Sequence, residues 1–137
     1  MLRENAHENT EEILDKSPII IVIEDSYYYG QVHKQHLAKF GLGAVVLRGI
    51  GNFTEQIAEI KKTKNVIGVI TDGLHGEWVH VHEAAVTNGI EKIWLISGNE
   101  EMIKISQYFP YTRAISKAIL HRNPDKYAMF LEAIKPK

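Results

Sequence analysis

The sequence contains no cysteine, and only four of its 137 residues are proline. The lack of cysteine excludes a disulfide framework and any metal site built from thiolates, and it is compatible with the cytosol. No apolar run approaches the roughly 18 residues that span a bilayer, so we expect no membrane segment. The N-terminus is polar and acidic, whereas a secretory signal is basic and then apolar. We therefore expect a cytoplasmic protein with no membrane partner.

Charge of one sign is also missing, because 16 basic residues face 17 acidic ones and the net charge is −1. This balance provides no broad attraction to phosphate backbones, so we expect no nucleic-acid partner. The apolar fraction of 45% and the charged fraction of 24% are ordinary for a globular protein. A chain of this length builds one core rather than two. We expect one domain over residues 18–137, preceded by an N-terminal extension over residues 1–17.

Short apolar runs alternate with amphipathic stretches, which indicates an α/β domain with a parallel sheet. The predicted strands are Ile19–Ile23, Ala44–Leu47, Val66–Ile70, Ile93–Ile96 and Thr112–Ile115. The first and third are continuously apolar, as strands covered on both faces should be, so we expect them at the centre. Five helices fit between and after these strands. In chain order, the first ends at Gly41, the second is capped by Asn52, the third spans residues 77–87, the fourth spans about 99–108, and the fifth starts with Asn123 as cap and Pro124 next.

Polar side chains follow four of the predicted strands. Glu24 and Asp25 follow the first, Asp72 the third, Ser97 the fourth and Lys117 the fifth. In a doubly wound sheet, ligands bind at the carboxyl ends of the strands. Neighbouring carboxylates repel one another unless a cation lies among them, and Mg²⁺ prefers oxygen ligands. The set therefore predicts a Mg²⁺ site in which one carboxylate attacks an activated phosphorus, while the ammonium and the hydroxyl balance charge on the phosphoryl oxygens.

This ordered set resembles the receiver domain of two-component response regulators, from about residue 18 to the C-terminus. The resemblance rests on the pair "ED" at 24 and 25, "VITD" ending at Asp72, "LISG" containing Ser97, and "ISK" ending at Lys117. It implies a flavodoxin-like, doubly wound five-stranded parallel sheet, a (βα)5 unit of strand order 2-1-3-4-5 with helices on both faces. It also implies that Asp72 accepts a phosphoryl group from a histidine kinase or a phosphotransfer protein.

The same resemblance assigns roles to the other residues of the set. Glu24, Asp25, Asp72 and the backbone carbonyl of Leu74 would hold Mg²⁺. Ser97 and Lys117 would bind the phosphoryl oxygens and draw the following loops inward. Such a protein catalyses its own phosphorylation and dephosphorylation and is not a multiple-turnover enzyme. Because no residues remain for an output domain after helix five, we expect a stand-alone receiver whose output or dimer surface is formed by helix four, strand five and helix five.

Three features depart from the receiver pattern. Ala118 follows Lys117 where the family usually has a proline in a cis peptide, and Ala114 stands where an aromatic residue usually couples to the hydroxyl residue. Tyr111 or Tyr108 are candidates to replace that aromatic ring. The interval from Asp72 to Ser97 is short for the family. We expect helix three to be truncated, or the loop that leads into it to be remodelled.

Two other functions remain open at this point. One is a receiver-like binding module that acts without phosphorylation, and the other is a small Mg²⁺-dependent nuclease or phosphatase built on the same carboxylates. A zinc site formed by His75, His80 and His82 is a weaker alternative. Residues two apart on a helix point in different directions, so we do not expect His80 and His82 to share a metal.

Overall fold

The computed structural model describes residues 17–48 and 51–123, together with residues 125, 126, 128 and 132. Nearly all of the predicted N-terminal extension thus lies outside the described residues. Among the helices described, none has both the length and the apolar character needed to cross a membrane.

Five parallel strands form one sheet in the order β2-β1-β3-β4-β5. The strands are β1 (Pro18–Ile23), β2 (Gly43–Leu47), β3 (Asn65–Asp72), β4 (Ile93–Ser97) and β5 (Thr112–Ser116). The two continuously apolar runs, β1 and β3, occupy inner positions, because their side chains must be covered on both faces. The predicted doubly wound sheet and its strand order are confirmed.

Five α-helices connect or follow the strands in the described part of the chain. They are α1 (Tyr27–Lys39), α2 (Phe53–Thr63), α3 (Trp78–Thr87), α4 (Glu100–Ser106) and α5 (Lys117–Arg122), and a 3-10 turn over Leu74–Gly76 precedes α3. Ser26, Asn52 and Asn99 cap α1, α2 and α4, each accepting the backbone N–H three residues ahead. After α1 the chain turns at Gly41, whose φ of 76° suits glycine.

The helices cover both faces of the sheet, as expected. Successive residues of a strand point to opposite faces, so Ile19, Ile21 and Ile23 enter one core while Ile20 and Val22 enter the other. The helices contribute Phe53, Ile57, Val81 and Ala85 to the first core and Leu37 and Leu120 to the second. α2 and α3 therefore cover one face, and α1 and α5 cover the opposite face.

The predicted boundaries of the last helices were partly wrong. α4 ends at Ser106, two residues before the expected end. α5 was not predicted; it starts directly after β5 and has Asn123 as its C-terminal cap. This occurs because Leu120 packs against the second core and holds the intervening residues in a helix. Beyond it, residues 125, 126, 128 and 132 are helical, whereas Pro124 and the predicted apolar face of helix five lie outside the described residues.

Candidate functional site

Three carboxylates meet at the carboxyl ends of β1 and β3. Glu24 and Asp25 follow β1, and Asp72 is the last residue of β3. The two strands are paired, with Ile23 beside Thr71, so their ends lie together. One oxygen of each carboxylate lies within 4.8 Å of the others. Among the described residues, this is the group of acidic side chains arranged closely enough to share a metal ion.

Glu24 is the buried member of this cluster, with 2% of its surface exposed. One of its oxygens, Oε1, accepts the backbone N–H of Ser26 at 3.1 Å. Burial raises the pKa of Glu24 to about 7, and the nearby charge of Asp72 adds to the increase, although Ser26 and Lys117 oppose it. A cation bound beside Glu24 would favour its ionised form.

Lys117 is the positive charge at the same edge. Its Nζ lies 2.8 Å from Oδ1 of Asp72 and 3.9 Å from Oε2 of Glu24. It also lies 4.7 Å from the centroid of the Tyr29 ring. Burial alone would lower the pKa of Lys117, but the hydrogen bond to Asp72 and the charge of Glu24 outweigh it, so its pKa is raised. The ammonium is therefore charged and balances the carboxylate of Asp72 directly.

Ser97 ends β4 beside the same group and is 3% exposed. Its Oγ accepts the backbone N–H of Asn99 at 3.0 Å and donates to Sδ of Met102 at 3.7 Å. A β-carbon on Gly73 would lie 3.2 Å from this oxygen. Ser97 is thus placed beside the residue that follows Asp72, as its position after β4 predicts.

Comparison with solved structures identifies the fold. A response regulator from Thermotoga maritima matches with a TM-score of 0.59 and 16% identity, over 82% of this chain and 98% of that chain. A trimeric coiled-coil segment of yeast Spc42 fused to another protein matches with a TM-score of 0.63 and 16% identity, over 88% of this chain and 79% of that one. This chain has the receiver fold of response regulators. A response regulator from Burkholderia multivorans also matches, with a TM-score of 0.47 and 15% identity, over 88% of this chain and 98% of that chain.

The sequence alone is less informative by comparison, because no protein-family model and no curated protein matches it. At 16% identity, the structural matches establish the receiver fold and leave the chemistry to be argued from the residues of this chain.

The loop after Asp72 gives this receiver fold an unusual backbone. Leu74 and His75 have φ values of 51° and 54°, a left-handed conformation that non-glycine residues seldom adopt. Oδ2 of Asp72 accepts the N–H of Leu74 at 3.2 Å, which fixes the start of the turn. The carbonyl of Leu74, predicted to bind Mg²⁺, accepts the N–H of Glu77 at 3.0 Å. The loop therefore uses one lone pair of that carbonyl for its own structure.

The histidines after this loop do not form a common site. His80 is exposed and lies 3.4 Å from Glu77 and 3.9 Å from Glu83. His82 is buried, and its Nδ1 lies 2.7 Å from Oγ1 of Thr112. These two residues point apart, as the helical spacing predicts.

Residue 114 is the position at which the resemblance to receivers predicts an aromatic residue. Ala114 lies in β5, and Tyr111, one candidate to replace the missing ring, stacks against His82 at a centroid distance of 6.4 Å. Tyr108, the other candidate, is 86% exposed.

Two residues that contact the site were missed by the sequence analysis. Tyr29 lies under the ammonium of Lys117, and Met102 contacts the hydroxyl of Ser97. Each belongs to the first turn of a helix that follows a predicted strand end. That position is the signal that could have identified them.

Proposed function

We propose that this chain is a response-regulator receiver whose Asp72 accepts a phosphoryl group from a histidine kinase or a phosphotransfer protein. The observation that carries this proposal is the contact of 2.8 Å between Lys117 and the carboxylate of Asp72, inside the carboxylate cluster. A carboxylate paired with a fixed ammonium at a strand end can act as nucleophile toward phosphorus. The protein then forms and hydrolyses its own aspartyl phosphate and does not turn over a separate substrate.

Mg²⁺ fits the chemistry of this cluster. Three carboxylates lie together while one ammonium faces two of them, so negative charge is in excess. Glu24, Asp25 and Asp72 would hold the ion, with the carbonyl of Leu74 contributing its second lone pair. When bound, Mg²⁺ supplies positive charge that offsets the carboxylates and the phosphoryl oxygens.

Asp72, Lys117 and Ser97 each have a separate role in the proposed phosphoryl transfer. An oxygen of Asp72 forms the new bond to phosphorus, the phosphorus–nitrogen bond of a phosphohistidine donor breaks, and the electron pair leaves with the imidazole. Lys117 is already close enough to donate to the incoming phosphoryl oxygens. The hydroxyl of Ser97 would donate a hydrogen bond to another of these oxygens.

We also propose a surface through which this receiver would contact a downstream protein or a second copy of itself. Ile105 and Tyr108, in and just after α4, and Ile119 in α5 are exposed apolar side chains. We assign the output or dimer surface to α4, β5 and the helical residues that follow β5, so the signal would leave through protein contacts. The proposal includes a domain over residues 18–137 and a cytoplasmic location.

The test is phosphorylation by a small-molecule phosphodonor, followed by intact mass. We expect one added phosphoryl group on the wild-type protein with Mg²⁺, and none without Mg²⁺ or in Asp72→Asn. The matched control is Asp125→Asn, an exposed carboxylate in the C-terminal stretch, which should still be phosphorylated. A folded wild-type protein that gains no mass would contradict the proposal.

A second candidate is a receiver-like binding module that acts without phosphorylation. It is favoured by the left-handed loop after Asp72 and by Ala114 at the coupling position. It predicts that wild type and Asp72→Asn bind a partner equally well. The mass experiment distinguishes the two candidates, because only the first requires an adduct.

A further inference from the structure

The contact between Ser97 and Met102 joins two loops of the site. Ser97 ends β4, and Met102 lies in the first turn of α4, where its N–H is bound by the cap Asn99 at 3.1 Å. The serine hydroxyl has one proton, and this proton points to the thioether sulfur at 3.7 Å. The same oxygen accepts the N–H of Asn99. Ser97 therefore already uses its single donor, and its donor faces α4 rather than Asp72.

Gly73 allows Met102 to occupy this place. A β-carbon at residue 73 would lie 2.6 Å from Sδ of Met102, closer than real side chains approach. The φ of Gly73 is −65°, which any residue can adopt, so a larger residue here would instead require the flexible side chain of Met102 to move. The sulfur of Met102 therefore packs directly against the backbone of Gly73, the residue that follows Asp72.

A thioether is a weak acceptor, whereas a phosphoryl oxygen is a charged and strong one. If Asp72 carries a phosphoryl group, the proton of Ser97 has a better partner close by, and Met102 loses its donor. The side chain of Met102 is half-buried and flexible, so it can repack when this occurs. Because Met102 belongs to α4, this exchange changes the contacts of that helix.

We infer that Met102 is a positioning residue that holds the Ser97 hydroxyl in the unphosphorylated protein and releases it to the phosphoryl group, thereby coupling the site to α4. This inference rests on the proposed function. In this view Met102 transmits the movement of the Ser97 hydroxyl to α4. Ala114 cannot transmit it, because its methyl side chain has no ring that could move.

The inference is tested by changing the acceptor strength at residue 102 and measuring phosphorylation rates with a small-molecule phosphodonor by intact mass. Met102→Leu preserves volume but removes the acceptor, so we expect phosphorylation about two- to fivefold faster than in the wild type. Met102→Gln supplies a stronger acceptor, so we expect a slower rate. Lys34→Gln, an exposed change in α1 and outside the proposed output surface, is the control and should leave the rate unchanged.

A purely structural role is separated by repeating both changes in a Ser97→Ala background. The effects on rate should disappear there, because no hydroxyl remains to be held, while any effect on unfolding free energy should persist. Equal rates for wild type, Met102→Leu and Met102→Gln would overturn the inference and leave the proposed function intact. Effects that persist without Ser97 would also overturn it. A wild-type protein that gains no phosphoryl group would overturn the proposed function, and this inference with it.

Discussion

Two polar contacts of almost equal length differ in charge and in how far their side chains are exposed. Lys117 lies 2.8 Å from Asp72 at the carboxyl edge of the sheet, and His82 lies 2.7 Å from Thr112 between α3 and β5. The side chains of the first pair are 23% and 15% exposed, whereas the residues of the second are 6% and 8% exposed. The more exposed pair carries full charges.

The difference follows from the cost of removing a charge from water. The Lys117–Asp72 pair keeps some access to solvent, and the proposed phosphorylation of Asp72 requires such access. His82 lies against the rings of Phe109 and Tyr111, and burial lowers its pKa, so it is held neutral. The first contact is suited to chemistry and the second to stability, and this assignment can be tested at each contact separately.

Among the changes that we predict, loss of the Lys117 ammonium should have the largest effect, and this effect should be on the rate of phosphorylation. Lys117→Met retains much of the apolar stem but removes the donor to Asp72 and the charge beside Glu24. We expect the rate of phosphorylation by a small donor to fall by about 100-fold or more, as when a donor to transition-state charge is removed. Intact mass against time provides this rate.

The matched control for this change is Lys62→Met, which removes an exposed lysine paired with Glu59 on α2. This variant should be phosphorylated at the wild-type rate, because the pair is remote from the acceptor. A rate for Lys117→Met within about threefold of wild type would show that the contact with Asp72 does not support catalysis.

Loss of the buried imidazole should affect stability instead. His82→Ala removes ring contacts with Phe109, at a centroid distance of 4.9 Å, and leaves the hydroxyl of Thr112 without this partner. We expect the free energy of unfolding to fall by about 2–4 kcal/mol, measured by urea denaturation at pH 7.5. The phosphorylation rate of the folded fraction should be unchanged.

The matched control here is His80→Ala, on the same helix but 63% exposed at its side chain. It should change the free energy of unfolding by less than about 0.5 kcal/mol. Equal losses in the two variants would show that burial of His82 contributes nothing specific.

Much of the fold could be predicted because its signals are local. The continuously apolar runs of β1 and β3 require cover on both faces, and Asn52 and Asn99 cap helices through bonds to residues three ahead. The short helix α5 was missed because Asn123-Pro124 is a strong local signal for a helix that starts later. Packing of Leu120 on the core, which depends on the sheet, places a helix before it.

The site could be predicted only in part, for a related reason. Glu24 and Lys117 follow strands, Asp72 and Ser97 end them, and parallel strands bring their carboxyl ends to one edge. The contact between Met102 and Ser97 depends on how α4 packs against the sheet, which no local sequence signal indicates. Likewise, the left-handed backbone of Leu74 is imposed by the surrounding structure, since leucine does not favour it.

The smallest expected effect is a difference in pH dependence between the two regions. The pKa of Glu24 is raised from 4.5 to about 7, so the folded protein keeps a proton that the unfolded chain has lost, and stability falls as pH rises through this window. The pKa of His82 is lowered from 6.5, so its contribution to stability is lost as pH falls below 6.5. Each slope is at most about 1.4 kcal/mol per pH unit.

Because the two slopes oppose each other, each should become visible when the other group is removed. We would measure unfolding free energies without Mg²⁺, from about pH 5 to about pH 8, for wild type, Glu24→Gln and His82→Gln. Relative to the wild type, Glu24→Gln should lose more stability toward low pH, and His82→Gln should lose more toward neutral pH. All other titrating groups are common to the three proteins, so differences between the curves isolate these two side chains. Three parallel curves would contradict this prediction, because they would mean that neither group titrates differently in the folded protein and in the unfolded chain.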